Sequence, residues 1–467
     1  MTASRIGLIV GFAGFLLTLV LPAPAGMPPQ AWQTAGLVWW MAVWWMSDAL
    51  PLYATAFLPF IVLPLLGIAD AGKTASAYYS PIMFLFLGGA FLALTIERTG
   101  LHRRLAHAIL ARSGNKPWQV LLAVMMATAL ISTVISNTST ALIMMPMALA
   151  MLAAGGVEEG ETGGIAGALP MGIAFAASIG GLGTMVGSPT NAISVALLDQ
   201  TLGVKIGFAE WSYYGMPLVL LGIPLAALII ARVQRLGEDR FDPLAARAAV
   251  AQAADWTGPE LRLVPLFAAT VLAWVSLPLL APLFPKGGMT DGTIAAIAGL
   301  VLFVLPDGTG RPMLLWSEAN RAPWDVVLMF GGGLALAMGM SVSGLAGWMG
   351  QMLLPLSAVP LPVVALVLVG FVVLITEFAS NIAAASAIMP VVAALVAAMG
   401  ADPILLALPA AFAASWGFML PSGTGPNAIG WATGHIALPR VLKAGLLLDI
   451  AGTLLIVGVV WAMAALI

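Results

Sequence analysis

The 467-residue chain has no cysteine, only three histidines and few charges, with lysine, arginine, aspartate and glutamate together at 8%. Without cysteine there can be no disulfide and no thiolate metal site, and His102, His107 and His435 lack the spacing of a metal cluster. No GxGxxG leads from a strand into a helix, so a nucleotide site is unsupported. No His/Glu/Asp ligand cluster or Ser/His pair marks an enzyme, and no nucleic-acid partner is expected. Long polar segments that could fold as a separate soluble domain are missing too. What fills the chain instead is apolar: 61% of the residues are hydrophobic. A soluble fold of that composition would have too little polar surface to stay dispersed, so the lipid bilayer is the expected solvent.

Apolar runs long enough for a ~30 Å hydrocarbon core recur along the chain. Spans are expected near 6–22, 32–48, 50–68 and 80–99, followed by a short cationic helix, LHRRLAHAILARSG (101–114), lying on the membrane surface. The first run, preceded by Arg5 and followed by Ala-Pro-Ala, has the look of a signal peptide; the many later spans favour an uncleaved first span. Two short arms, 117–135 and 139–152, flank the polar tip Ser136, Asn137, Thr138, which reads as a re-entrant hairpin. A segment from 164 to 200 is broken at GSPTN (187–191), and a span covers 213–231. The order then recurs: spans near 262–283, 291–306 and 324–343, arms at 361–379 and 383–399, a broken segment at 403–434, and a last span at 444–465.

The recurrence holds residue by residue. FLGGAFLAL (86–94) aligns with FGGGLALAM (330–338), Ser136-Asn137 with Ser380-Asn381, and Pro146 with Pro390, all at an offset of 244. Beyond the hairpin the offset becomes 236, pairing Gly187 with Gly423 and Asn191 with Asn427, because the first half carries the longer loop GGVEEGETGG. The expected architecture is therefore an all-α polytopic membrane protein of about eleven transmembrane helices in two repeats, each with a re-entrant hairpin and an interrupted helix. Residues 1–31 form a first span and external linker, 32–240 the first repeat, 241–261 a cytoplasmic linker and 262–467 the second repeat. With the N-terminus cytoplasmic and the second repeat inverted, all but Lys73, Lys205 and Lys286 of the 18 lysines and arginines face the cytoplasm and the C-terminus lies outside.

The polar residues that could carry chemistry sit in matching breaks: Ser136-Asn137-Thr138 with Ser380-Asn381-Ile382 at the hairpin tips, and GSPTN (187–191) with PSGTGPN (421–427) in the interrupted helices. Half-helix N-termini offer free N–H groups to an anion, while carbonyls, amide oxygens and hydroxyls suit a hard cation such as Na+. Small polar residues also cap hairpins and permit close helix contact. Four such motifs in register favour a binding role over capping alone.

WWMSDALPLYATAFLP, ERTGLHRR, ISNTSTALIMMP, TEFASNIAAASAIMP and GSPTNAI resemble signatures of the divalent anion/sodium symporter family, which carries dicarboxylates, citrate or sulfate. The resemblance runs over most of the chain. It implies sodium-coupled transport of small di- or tricarboxylates by an elevator-like movement against a dimeric scaffold in the cell inner membrane, with sodium at two or more sites and no organic cofactor. By resemblance, one sodium site uses the side chains of Ser132, Ser136 and Asn137 with backbone near Gly187, and the other Thr376 and Asn381 with backbone at Ala379 and Gly423. Substrate contacts map onto Ser136, Asn137, Thr138, Ser188, Ser380, Asn381, Ile382, Thr424 and Gly425. One departure is Ile382, where the family usually has threonine; the lost hydroxyl should alter discrimination among anions.

Among the remaining ionisable residues, Asp48 and Glu97 are expected at span ends in structural roles, with Arg98 a partner. Glu377, beside the second tip, either supports that hairpin or tunes cation affinity. Trp39, Trp40, Trp44 and Trp45 read as interfacial or packing residues. Two readings compete with the symporter: a sodium-independent anion exchanger, and a channel, which would need a continuous polar pore. The topology is testable in a chain free of cysteine. Cysteines placed at Arg104 and Arg240 should react with an impermeant maleimide only from the cytoplasmic side, and one at Lys205 only from outside; Arg240 and Lys205 reacting from one face would overturn the inverted repeat.

Overall fold

The computed structural model describes residues 3–237, 241–250 and 255–466; Arg240, at the edge of the expected linker, lies outside them. The described residues are helical, with one isolated β-bridge between Pro306 and Pro312. Ten of the helices are long and apolar enough to cross a membrane, close to the eleven expected. Pro29–Ser47 packs along Ala3–Val20, and the four tryptophans serve that packing: the Trp39 and Trp44 indoles donate to Val10 and Leu8 carbonyls at 3.2 and 3.3 Å, Trp45 donates to Leu52, and Trp40 stacks on Phe15.

The expected span at 50–68 is shorter and broken. Asp48 ends the preceding helix in the left-handed region, at φ 49°, and Pro51 follows. Helix resumes as Leu52–Thr55 and Leu58–Leu65, with Pro59 and Pro64 inside the run. Pro64 removes an N–H and crowds the preceding turn, while Pro59 sits in the first turn, where proline is tolerated. Fourteen residues, Leu52–Leu65, rise only about 21 Å at 1.5 Å each, too little to cross. Its counterpart in the second half, Asp291–Val304, is equally short.

Each of these two short stretches packs on the other half. Asp291–Val304 lies against Pro81–Thr99, while Leu52–Thr55 and Leu58–Leu65 lie against Trp324–Val342. The matched glycines make the crossings possible: a Cβ on Gly88 would run into the Ala295 backbone carbonyl, and one on Gly332 into the backbone of Ala56. The two halves are thereby interlocked. Ion pairs reinforce one end of this seam. Arg98 binds Asp307 at 3.1 Å, so its partner is across the seam and not Glu97; Glu97 instead binds Arg321 at 2.7 Å, and Arg104 binds Glu260 at 2.6 Å beneath Trp256. Thr309 donates its hydroxyl and backbone N–H to Asp307 and, with Arg98, holds that carboxyl down to about 2.

The surface helix is Leu101–Leu110, set off by Gly100 at φ 80°; its mate Leu345–Leu353 follows Gly344 at φ 82°, the same offset of 244. The hairpin arms are Pro117–Ser132 with Asn137–Ala154, and Leu361–Phe378 with Asn381–Met399. The second arms are longer than expected because Ser136 and Ser380 act as N-caps, accepting from Ser139 and Ala383 N–H at 3.3 and 3.2 Å, so helix begins at the asparagines themselves. The interrupted helices are Gly164–Gly181 with Pro189–Leu202, and Pro403–Ala413 with Gly425–Ala432. Their breaks, 182–188 and 414–424, lie N-terminal to the expected positions. Proline is tolerated in a first turn, so Pro189 and Pro426 open the second half-helices instead of lying in the gaps. Gly164–Gly181 is buried along its whole length.

The interlock predicts a graded response to added bulk. Gly88→Val should destabilise by about 1–3 kcal/mol, since backbone cannot move aside, whereas Gly458→Ala, which meets nothing within 4 Å, should be neutral. Thermal unfolding of the purified variants in detergent measures both.

Candidate functional site

The two hairpin turns and the two downstream half-helix starts converge on one cavity of about 440 Å³. Ser136, Asn137, Thr138, Ser188, Ser380, Asn381, Ile382, Thr424 and Gly425 all line it. Helix geometry places them: Ser136 and Ser380 cap the second arms, and Ser188 and Thr424 cap the half-helices, so four helix N-termini face the same space. Thr424 accepts the Asn427 N–H at 3.2 Å. The halves touch here, because a Cβ on Gly425 would run into the Thr138 hydroxyl. Ile382 also borders a second cavity, lined by Asp48–Tyr53 and Asp325. Among the described lining residues the charged pair is Glu97 and Arg321, bound to each other; the remainder is neutral.

Beside the cavity lie two related polar clusters. In the first, buried Ser132 places its hydroxyl 2.6 Å from the Ala177 carbonyl and 3.0 Å from the Asn137 amide. That amide also faces Ala177 and Gly187 carbonyls at 3.1 and 3.3 Å, and with nitrogen turned toward them it donates. With oxygen turned toward them, the same atoms form an all-oxygen shell that only a cation would stabilise. In the second cluster, buried Thr376 lies 2.8 Å from the Ala414 carbonyl and 2.9 Å from the Asn381 amide oxygen. One hydroxyl proton cannot serve two acceptors at once, so this second cluster holds more oxygen than hydrogen.

The glycines have a reason. A Cβ on Gly187 would stand 2.6, 3.0 and 3.1 Å from the Gly181, Ser132 and Thr133 carbonyl oxygens, and one on Gly423 would stand 3.3 Å from those of Glu377 and Leu420. Both positions are crowded by carbonyls. Ala379 is the buried C-cap of its arm. Ser136 lines the cavity, and its hydroxyl lies 3.0 Å from that of Ser139.

Several structural participants escape sequence reading. Ala177 and Ala414 contribute only carbonyls, which carry no side-chain signal. Asn191 and Asn427 brace the breaks: Asn191 donates to Gly181 and Thr184 carbonyls at 2.7 and 2.8 Å, and Asn427 to Leu420 at 3.2 Å. Their matched positions were visible, but not this work. Both of their amide oxygens are buried without a donor, as are the Ser178 and Ser415 hydroxyls beside the two cluster carbonyls. Glu377 accepts the Met419 and Leu420 N–H groups at 2.9 and 3.0 Å, shaping the second break. Such an arrangement offers hydroxyls, amides and helix N-termini to an anion, and oxygen-rich clusters to small hard cations.

A family model described as "Sodium:sulfate symporter transmembrane region" matches residues 2–467. The chain is 35% identical over 474 residues to the sodium-dependent dicarboxylate transporter SdcS of Staphylococcus aureus, covering 98% of this chain and 91% of that protein. The SdcS of Staphylococcus saprophyticus is 34% identical over 469 residues, covering 98% and 90%. Among solved structures, the YdaH transporter of Alcanivorax borkumensis matches with a TM-score of 0.61 at 16% identity, over 100% of this chain and 98% of that one, a likeness of fold.

The Gly425 contact gives a test of the shared cavity. Gly425→Ala should raise the apparent KM for the transported anion roughly tenfold, as expected for one to two kcal/mol of crowding. The sodium dependence of thermal stability should stay near that of the unsubstituted protein.

Proposed function

The chain belongs to the sodium:sulfate symporter family, and from that premise we propose that it is a sodium-coupled symporter of small dicarboxylates. It is a membrane transporter and not an enzyme. The observation that carries the reading is the pairing of one neutral, donor-lined cavity with two repeat-related hydroxyl–amide–carbonyl clusters that border it. Asn137 and Asn381 belong to both, so cation and anion meet at the same two side chains.

A dicarboxylate entering this cavity exchanges water for the Ser136, Ser188, Ser380 and Thr424 hydroxyls, the two asparagine amides and the half-helix N–H groups. Neutral donors hold an anion without trapping it, which suits release on the far side. Sodium bound at Ser132–Asn137–Gly187 and at Thr376–Ala379–Asn381–Gly423 would turn the asparagine oxygens toward the ions and their N–H groups toward the cavity. Each ion thus prepares the anion site, and a mobile unit of hairpins and interrupted helices then exposes the cavity alternately to each side. An elevator-like movement against a homodimeric scaffold, an N-terminus in the cytoplasm and the 32–240 and 262–467 division are parts of the same proposal. The sodium-independent exchanger is not favoured, since both cation clusters keep their hydroxyls.

Uptake of labelled succinate, citrate and sulfate into proteoliposomes tests the reading. Succinate uptake should rise sigmoidally with sodium, and potassium should not replace it; equal uptake in choline buffer would overturn the symport. Ile382→Thr should change relative apparent affinities among the three anions by roughly 2- to 10-fold, the worth of one hydrogen bond of about 0.5–1.5 kcal/mol. Sodium activation should stay nearly the same. Unmoved affinities for all three would remove the second tip from the substrate site.

A further inference from the structure

Two kinds of element line the cavity. The hairpin tips and half-helix starts carry its hydroxyls and amides. Phe86, Ala90, Ala93 and Leu94 of Pro81–Thr99 add an apolar stripe at helical spacing, and the stripe ends in Glu97. Arg321, in the turn between Trp316–Ala319 and Trp324–Val342, reaches Glu97 at 2.7 Å and lines the same cavity. Its backbone is fixed, since the Arg321 N–H donates to the Glu318 carbonyl at 3.0 Å, but its side chain is 64% exposed. Arg98, Arg104 and Arg311 are held by other carboxylates, those of Asp307, Glu260 and Glu318. Among the described lining residues Arg321 is the one cation that an entering anion meets.

An ion pair in contact with water is weak and exchanges partners readily. A guanidinium presents a planar fork that suits a carboxylate, whether that of Glu97 or that of a substrate. Glu97 and Arg321 belong to neither a hairpin nor an interrupted helix, so they stand outside the mobile unit; the inference rests on that reading of alternating access and deepens it. We propose that Arg321 is a side-specific substrate contact. It leaves Glu97 to take one carboxylate of a small dianion at the cavity mouth, and does so only while the cavity faces the side seen here. Glu97 competes for the same fork and recovers it as the anion departs.

The donors that travel with the anion are hydroxyls, amides and helix N–H groups, which add no net charge to the moving cavity. The fixed cation stays behind, so it adds affinity at one face without being carried across. The fork and the helix N-termini line one cavity of about 440 Å³, so an anion with two carboxylates can engage both and a monocarboxylate only one. The competing carboxylate of Glu97 keeps the attraction from becoming a trap.

Uptake of labelled succinate into right-side-out and inside-out membrane vesicles gives the apparent KM at each face. Arg321→Gln should raise it roughly three- to tenfold at the face toward which this cavity opens and leave the other face unchanged. Glu97→Gln should lower KM at that same face, and Arg321→Lys, which keeps the charge, should recover most of what Arg321→Gln loses. A pair that only holds the seam would shift KM alike at both faces, or in the same direction for Arg321→Gln and Glu97→Gln; either result overturns the proposal, as does a lysine that recovers nothing. If Arg321→Gln does not reach the membrane, the unsubstituted protein decides: choline chloride added at fixed sodium should raise KM more at one face than at the other by screening, and equal changes overturn the contact. Uptake that ignores sodium would overturn the symport reading, while the comparison of the two faces would still decide on Arg321.

Discussion

A backbone that unwinds inside an apolar fold must find a partner for every N–H and C=O it frees, and the rest of this structure depends on how that demand is met. Asn191 and Asn427 brace the two breaks from their C-terminal sides, Asn191 by donating to Gly181 at the far end of its gap and to Thr184 within it, Asn427 by donating to Leu420 within the second gap. Glu377 answers two stranded N–H groups in the second break; Thr184, bonded to the Thr133 carbonyl, and accepting the Gly187 N–H at 3.2 Å, ties the first break to its hairpin. Beside the two cluster carbonyls, the Ser178 and Ser415 hydroxyls stay buried without a partner, as do the amide oxygens of Asn191 and Asn427.

The duplication gives this arrangement its economy. Each half supplies a hairpin and an interrupted helix, and one half alone would leave the cavity open. Thr138 of the first tip lies on Gly425 of the second half, so the cavity exists only between repeats. The same principle operates in the packing, where each half contributes one short helix to the other. Glycines at matching positions allow that crossing at backbone distance, and the ion pairs Arg98–Asp307, Arg104–Glu260 and Glu97–Arg321 close one end of the seam. Charge is concentrated there because water can reach it; Arg321, at 64% exposure, stands where the cavity meets that end.

Symmetry is broken at a few places, and these carry the individuality of the chain. Ile382 stands opposite Thr138, which makes one tip apolar where the other is hydroxylated. Glu377 corresponds to Thr133, and the second break is braced by the Glu377 carboxylate where the first relies on the Thr184 hydroxyl and the Thr133 carbonyl.

The membrane class, the two repeats, the polar tips and the family resemblance could all be read from the chain, because they rest on composition and on residues at fixed separations. Sodium as coupling ion and a small di- or tricarboxylate as cargo were what the motifs' resemblance implied, and the named relatives narrow the cargo to dicarboxylate. Other features belonged to the tertiary structure. The run at 50–68 looks continuous by hydropathy, yet its prolines cut it to helix too short to span. The breaks moved to 182–188 and 414–424, since a proline that interrupts a helix in sequence can equally open one. Arg98 chose Asp307 over its neighbour Glu97, and the Ala177 and Ala414 carbonyls joined the clusters without any side-chain signature. Glu377 reaches the Met419 and Leu420 N–H groups across elements that no local pattern relates. Hydropathy and motif spacing are properties along the chain; which oxygens face each other depends on packing between its distant parts.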